Sequence, residues 1–348
     1  MVPLSGGCVS LSEPLTDEDA WFRVEEPSAV NAVRRAAERL AGQLDLDAAR
    51  TADLAIVATE LASNLVKHAD EGVLLLRPVR HGPDAGVEII AIDSGPGMAD
   101  LTRSARDGHT TAGTLGIGLG AIARKATWYD AHSVPARGTV LVVQVWPTRG
   151  PEVPWAAGLA RPLTGETVSG DGFAARVSGG RHQVLVCDGL GHGQLAAAAT
   201  TAAVQAFHTA AAAPPAAVVE HLHRSLTHTR GAALAVAELD PAAGLVRYAG
   251  LGNIAGVVTD AEKRRGLVSL PGIAGGQRRT VREYEYPLGP GAVLVMHSDG
   301  VTDRWRAADY PGLLSRAPQV IAATLLRDAG VRRDDACVLV ARAPAGLA

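Results

Sequence analysis

From Thr51 to His68 apolar residues return at Leu54, Val57, Leu61 and Leu65, which predicts one helix with a single buried stripe. Glu60 and Asn64, four apart, project from the same side at the border of that stripe, while Thr59, Ser63 and Lys67 point toward solvent. A second helical pattern precedes it. Continuous apolar runs at Val87–Ile92 and Thr139–Val145 predict buried strands, with a glycine-rich connection between them. Three prolines and a glycine then fall in the eight residues 147–154, where neither a helix nor a central strand can continue. Beyond them the pattern changes to short apolar runs separated by turn residues: Gln183–Cys187, Ala232–Glu238, Leu245–Tyr248, Ala292–His297 and Cys337–Ala341. Helices are expected over Leu195–Ala212, Pro215–Thr227 and Pro318–Asp328.

This pattern predicts an α/β (α+β) two-domain chain divided at the proline-rich break, with a β-rich layered second half and helices packed outside. A length of 348 residues suits two cores. A net charge of −3 gives no support for nucleic-acid or acidic-membrane binding. The three cysteines, Cys8, Cys187 and Cys337, have no CxxC spacing, which argues against a disulfide framework or a structural zinc site and fits a reducing compartment. The first residues lack the basic start and apolar run of a signal peptide, and the alanine-rich 195–213 stretch contains Gln205 and His208, so a cytoplasmic protein without a membrane span is expected.

Candidate chemistry in the first half begins where strand Val87–Ile92 stops at Asp93, followed by Ser-Gly95-Pro-Gly97. A carboxylate at a strand end can accept from the amino group of a purine, and the glycines let backbone approach the ring. Taken alone the motif is also a common tight turn. Gly113, Gly116, Gly118 and Gly120 then run into a helical start, which turns free N–H groups toward an anion. The order E-x-x-x-N-x-x-x-H, D-x-G-x-G, glycine lid and closing Gly-Thr resembles the GHKL (Bergerat-fold) ATPases. Residues 107–120 resemble the RsbT/RsbW branch of serine protein kinases, over about 25–147. The resemblance implies a Bergerat-type α/β sandwich that binds ATP with Mg²⁺. Asn64 would hold the metal, Asp93 would read adenine, Gly95, Gly97, Gly113, Gly116 and Gly118 would shape the pocket, Thr139 would help bind the base, and Glu60 would act as general base toward a substrate hydroxyl. Relatives that use the equivalent glutamate to activate water leave a simple ATPase, or an ATP-shaped binding module, as the alternatives.

In the second half two apolar strands each finish in Asp-Gly, at Asp188-Gly189 and Asp299-Gly300; Asp334 precedes a third and Asp171 sits in Ser-Gly-Asp-Gly. A single Asp-Gly is a turn; four carboxylates at strand ends can gather at one sheet edge and suit Mg²⁺ or Mn²⁺. Asp188-Gly-Leu-Gly-His-Gly before an alanine-rich helix resembles the metal-dependent PPM-type protein phosphatases of the SpoIIE group, and Tyr248-Ala-Gly-Leu-Gly-Asn-Ile the RsbX-type members, over about 156–344. The resemblance implies a PPM-type α/β/β/α sandwich with Asp171, Asp188, Gly189 through its carbonyl, Asp299 and Asp334 as metal ligands and Asp335 beside them. The segment after Asp171, Gly-Phe-Ala, lacks the second acidic residue of many members. His192 is placed at a helix start or in packing ahead of phosphate contact, and His221, His223 and His228 on an exposed helix ahead of a zinc site. Together the resemblances imply a tail over 1–24, a first domain over 25–147, a linker over 148–155 and a second domain over 156–344. They imply a Ser/Thr kinase joined to a phosphoserine/phosphothreonine phosphatase. Its partner would be a STAS-domain protein, with a sigma factor or partner phosphatase as a further possibility.

Overall fold

The computed structural model describes residues 19–98, 115–150, 153–278, 280–331 and 333–343. The chain forms two compact units, one of Thr16–Val153 with Tyr310–Arg327 and one of Pro154–Asp309 with the chain from Asp328 onward. Both are mixed α/β.

The first unit contains β1 (Ala20–Arg23), α1 (Pro27–Gln43), α2 (Ala48–His68), β2 (Val73–His81), β3 (Asp84–Ile92), α3 (Leu115–Lys125), β4 (Trp128–Val134) and β5 (Gly138–Val145). The strands form one antiparallel sheet in the order β1-β2-β3-β5-β4. Pro27 starts α1 with its φ preset, and the Asp47 side chain caps α2 by accepting from Arg50 N at 2.7 Å. The stripe Leu54, Val57, Leu61 and Leu65 is buried against Leu74, Leu76, Ile89, Ala91, Leu141 and Val143 of the sheet. Strand alternation sends Ile90, Ile92, Val140 and Val142 to the opposite face, and these are buried too.

That second face carries a row of polar residues in register: Arg77 opposite Glu88, and Glu88 opposite Gln144. The Arg77 Nη2 and Nε donate to Glu88 Oε1 at 2.6 and 2.8 Å, and Gln144 Nε2 donates to Oε2 at 2.7 Å. Gln319 Nε2 approaches the same oxygen at 3.4 Å. Gln319 belongs to α6 (Pro318–Ala329), which lies inside the span expected for the second domain but packs, through Arg327, with the first unit. The backbone N–H of Ala317, just before α6, donates to Asp130 Oδ2 at 2.8 Å, Pro311 O meets His132 Nε2 at 3.1 Å, and Arg327 Nη1 donates to Asp93 O at 3.0 Å. Residues 310–327 group with the first unit through these contacts, and they bring polar groups that match those of the sheet face they meet.

The second unit pairs two antiparallel sheets. β7 (Asp171–Ser178), β8 (Arg181–Gly189), β9 (Ala232–Asp240), β10 (Leu245–Leu251) and β13 (Tyr284–Pro287) form one in the order β13-β10-β9-β8-β7. β6 (Ala156–Arg161), β11 (Ala255–Thr259), β12 (Arg264–Leu267), β14 (Val293–His297) and β15 (Ala336–Arg342) form the other in the order β12-β11-β14-β15-β6. Val184, Val186, Ala235 and Tyr248 face Leu294, Met296, Cys337 and Leu339 of the second sheet. The alternate residues Leu185, Cys187, Leu234 and Val236 face α4 (Gln194–Thr209) and α5 (Pro215–Ser225) through Val204, Phe207, Val219 and Leu222. Buried Arg176 closes the C-terminal end of α4, donating to Ala210 O at 2.6 Å and to Phe207 O, with its guanidinium over the Phe207 ring. Among the described residues no helix is long and apolar enough to cross a membrane.

Glu88→Ala leaves a buried guanidinium without its carboxylate and is expected to destabilise the first unit by about 3–5 kcal/mol; a denaturation midpoint within experimental error of the parent chain would overturn the structural role given to this pair. A chain ending at residue 153, which lacks 310–327, is expected to melt at a lower temperature than the first unit of the full-length protein in scanning calorimetry.

Candidate functional sites

The first unit holds a cavity of about 390 Å³, within the range of roughly 300–1,000 Å³ typical of small-molecule sites. Asn64, Lys67 and His68 of α2, Asp93 and Gly97 after β3, Leu119 of α3 and Thr139 of β5 stand on its wall. Of the residues expected there, Asn64, Asp93, Gly97 and Thr139 come together. Glu60 is on the same helix, half-buried, and is not among the lining residues. Gly116 and Gly118 lie in the first turns of α3, and Gly113 lies outside the described residues.

Backbone fixes the Asp93 carboxyl group. Its Oδ1 accepts from Gly95 N at 2.8 Å, and its own N–H donates to Thr139 O at 2.9 Å. Burial pushes the Asp93 carboxyl above its usual range, against the lowering effect of backbone hydrogen bonds at Gly95 and Thr139 and of Arg327. Gly97 has φ +65°, and a Cβ there would stand 2.2 Å from Val134 O; Gly138 has φ +93°, and a Cβ there would stand 2.0 Å from Asp93 O. Neither position admits a side chain. The Thr139 hydroxyl sits 2.9 Å from Ser133 Oγ, which in turn accepts from Met98 N at 2.7 Å. A rigid carboxylate, two side-chain-free backbone crossings and an apolar wall fit a planar heterocycle that carries a donor.

The second site lies at one end of the paired sheets. Asp171 opens β7 directly opposite Asp188 near the end of β8, and Asp299 follows β14. Asp171 is 2% exposed, and its Oδ2 is buried without a hydrogen-bond partner. Its carboxyl is pushed well above the usual range, by burial first and by Asp188 next. Asp188 is pushed up to about 7 by burial and then by Asp299, and Asp334 is raised by burial and by Asp299. The four carboxyl groups thus sense one another across two sheets. Asp335 does a different job: Oδ1 accepts from Leu163 N at 2.7 Å and Oδ2 from Gly170 N at 2.9 Å, which fixes the backbone that presents Asp171.

Each glycine after an aspartate is required by close approach. A Cβ on Gly189 would stand 2.3 Å from Ala196 O in the first turn of α4, and one on Gly300 would stand 1.8 Å from Asp335 O. His192 pairs with Glu166 Oε1 at 3.0 Å while remaining close enough to Asp334 to favour its charged form, and His223 Nδ1 accepts from Gly275 N at 3.1 Å.

Among the described residues no group of three or more His, Cys, Asp or Glu stands close enough together to hold a metal ion by itself. An all-oxygen set, an orphaned buried carboxylate oxygen and mutually raised carboxyl groups fit such an ion. Sequence reasoning gave no role to Asn253, which bridges two of these carboxylates, or to Glu88 and Arg327. A lone asparagine in a turn, or a charge inside a strand, carries no signal until its partner's position is known.

Residues 24–145 match the family described as histidine kinase-like ATPase domain, and residues 178–344 match Stage II sporulation protein E (SpoIIE). The serine/threonine-protein kinase RsbT of Bacillus subtilis (strain 168) is 30% identical over 130 residues, which are 37% of this chain and 98% of that protein. Among solved structures, a chain from work on the bacterial stressosome as a modular system adapted to control secondary messenger signaling is 29% identical, with a TM-score of 0.48, over 54% of this chain and 98% of its own. RsbX in complex with magnesium is 18% identical, with a TM-score of 0.45, over 53% of this chain and 92% of its own. The chain therefore belongs to the family of RsbT through a histidine kinase-like ATPase domain, and joins to it a SpoIIE phosphatase domain of PP2C-like fold.

Proposed function

We propose that this chain is a bifunctional regulator of a partner-switching pathway. Its first unit phosphorylates a serine or threonine of a STAS-domain protein from ATP, and its second removes phosphate from such a residue with Mg²⁺ or Mn²⁺. The observation that carries the reading is the likeness to RsbT over almost the whole of that kinase, on the same chain as a gathered set of strand-end carboxylates.

In the first unit the Asp93 carboxyl accepts from the exocyclic amino group of adenine, Thr139 supports the base, and the backbone at Gly97 and Gly138 closes against the ring. Asn64 would hold Mg²⁺, and Glu60 would take the proton of the acceptor hydroxyl. Bound MgATP supplies the phosphoryl group, and transfer then depends chiefly on positioning and charge stabilisation. In the second unit Asp171, Asp188, Asp299, Asp334 and the Gly189 carbonyl would hold the divalent ions, which would supply charge neutralisation and an acidified water. Asp335 keeps the Asp171 strand in place. Opposed activities on one chain set the phosphorylation state of one partner, where a phosphate adds nearly two negative charges to an interface.

A second reading treats the first unit as an ATP-shaped binding module for a sigma factor or partner phosphatase, or as a simple ATPase. Relatives that use the equivalent glutamate to activate water motivate it. Incubating the full-length chain, with Asp188→Ala to silence dephosphorylation, with γ-labelled ATP and a STAS-domain protein separates the readings. Label on serine or threonine, reduced at least 100-fold by Glu60→Ala, is the expected result; binding of the partner with no label sinks the kinase. Gly138→Ala is expected to weaken binding of an ATP analogue at least tenfold in calorimetry, and unchanged affinity would remove the nucleotide from this cavity. For the second unit, Asp188→Ala and Asp299→Asn are each expected to cut Mn²⁺-dependent release of phosphate from a phosphoprotein by 100-fold or more; full activity in both would refute the ligand assignment.

A further inference from the structure

The chain passes from one sheet of the second unit to the other between β10 and β11, and Asn253 sits in that crossing. Its Nδ2 donates to Asp299 Oδ2 at 2.6 Å and lies 3.5 Å from Asp188 Oδ2. Asp188 belongs to β8 of one sheet and Asp299 follows β14 of the other, so one amide reaches a carboxylate from each. The distances make Asp299 the main partner and Asp188 a weaker one.

The turn around Asn253 is fixed on both sides. Gly252 N donates to Leu270 O at 2.9 Å, and Leu270 N donates to Gly250 O at 2.9 Å. Ile254 O accepts from Ser269 Oγ at 2.6 Å and from the buried Tyr248 hydroxyl at 3.3 Å. Gly252 has φ +91°, and a Cβ there would stand 2.5 Å from Ala233 Cβ. The backbone therefore delivers the amide to one place, while the Asn253 side chain itself is exposed and adds nothing to the core.

We infer that Asn253 is a positioning residue of the metal-dependent site: its amide ties the Asp299 carboxylate, and more loosely that of Asp188, at a set spacing across the two sheets, so that their remaining oxygens face a divalent ion. The inference rests on the phosphatase reading proposed above. An amide suits this task because it donates without charge. A lysine or arginine at the same point would compete with the cation, and an aspartate would add to the repulsion. Groups that orient metal ligands in this way typically change metal affinity roughly 10- to 100-fold when removed.

Titration of the full-length chain with Mn²⁺ alone, by calorimetry, tests this on wild type, Asn253→Ala, the near-isosteric Asn253→Leu and Asp188→Ala. Both Asn253 variants are expected to bind Mn²⁺ roughly 10- to 100-fold more weakly. Their melting temperature without metal is expected to match wild type, and their KM for p-nitrophenyl phosphate at saturating Mn²⁺ to stay within about twofold. Wild-type Mn²⁺ affinity in both variants overturns the positioning role while leaving the metal site intact. A raised KM with unchanged Mn²⁺ affinity also overturns it, because the amide would then act on substrate. A wild-type chain that binds no Mn²⁺ sinks the phosphatase reading and this inference together.

Discussion

Like charges brought together at a sheet edge set the terms for the second unit. Burial first, and neighbouring carboxylates after it, push Asp171, Asp188 and Asp334 up: Asp188 acts on Asp171, and Asp299 acts on Asp188 and Asp334. Carboxylates in this arrangement separate unless something holds them, and the surrounding structure reads as a set of holders. Both oxygens of Asp335 are committed to backbone N–H groups that anchor the start of β7. The Asn253 amide spans the two sheets. Gly189 and Gly300 let backbone cross within a distance no side chain tolerates.

The first unit answers a different demand, that of a cavity needing rigid walls. Its carboxylate, Asp93, accepts from Gly95 N, and the Asp93 backbone N–H is tied to Thr139 O. Rigidity comes from the sheet behind it. The helices α1 and α2 cover one face, and the Arg77–Glu88–Gln144 row fixes the register of β2, β3 and β5 on the other. Arg327 at the end of the 310–327 segment donates to the Asp93 carbonyl, so the strand end that carries Asp93 is tied from behind as well as from its own turn. Two residues later the chain is again part of the second unit, where Thr302 N donates to Ala329 O at 2.8 Å and Val331 N to Gly300 O at 2.7 Å. Helix α6 is thus covalently continuous with the loop that carries Asp334.

The two sites use carboxylates for opposite ends. At Asp93 the group is backbone-held, suited to accept one directed hydrogen bond from a neutral base. At the edge of the paired sheets several groups face one another, suited to a small, highly charged ion. This contrast in electrostatic design supports reading the halves as a nucleotide-using and a metal-using activity on one chain.

The sequence by itself marked α2 and the strands β3, β5, β8, β9, β10, β14 and β15, and left β1, β2, β6, β7, β11, β12 and β13 unmarked. Period 3.6 in 51–68 and the apolar runs at 183–187, 232–238 and 337–341 specified helix and strands, because one-sided burial writes a period into the chain. Strands that stop in Asp-Gly marked where carboxylates would emerge. β4 escaped notice because Asp130, His132 and Ser133 break its apolar pattern; their partners are distant in sequence. Only the tertiary structure brought Arg327 to the Asp93 carbonyl, set the Asp335 oxygens on Leu163 N and Gly170 N, and brought the Asn253 amide to two carboxylates. Each of these depends on distance between residues far apart in the chain, and local periodicity records which side of an element is buried without recording what lies across from it.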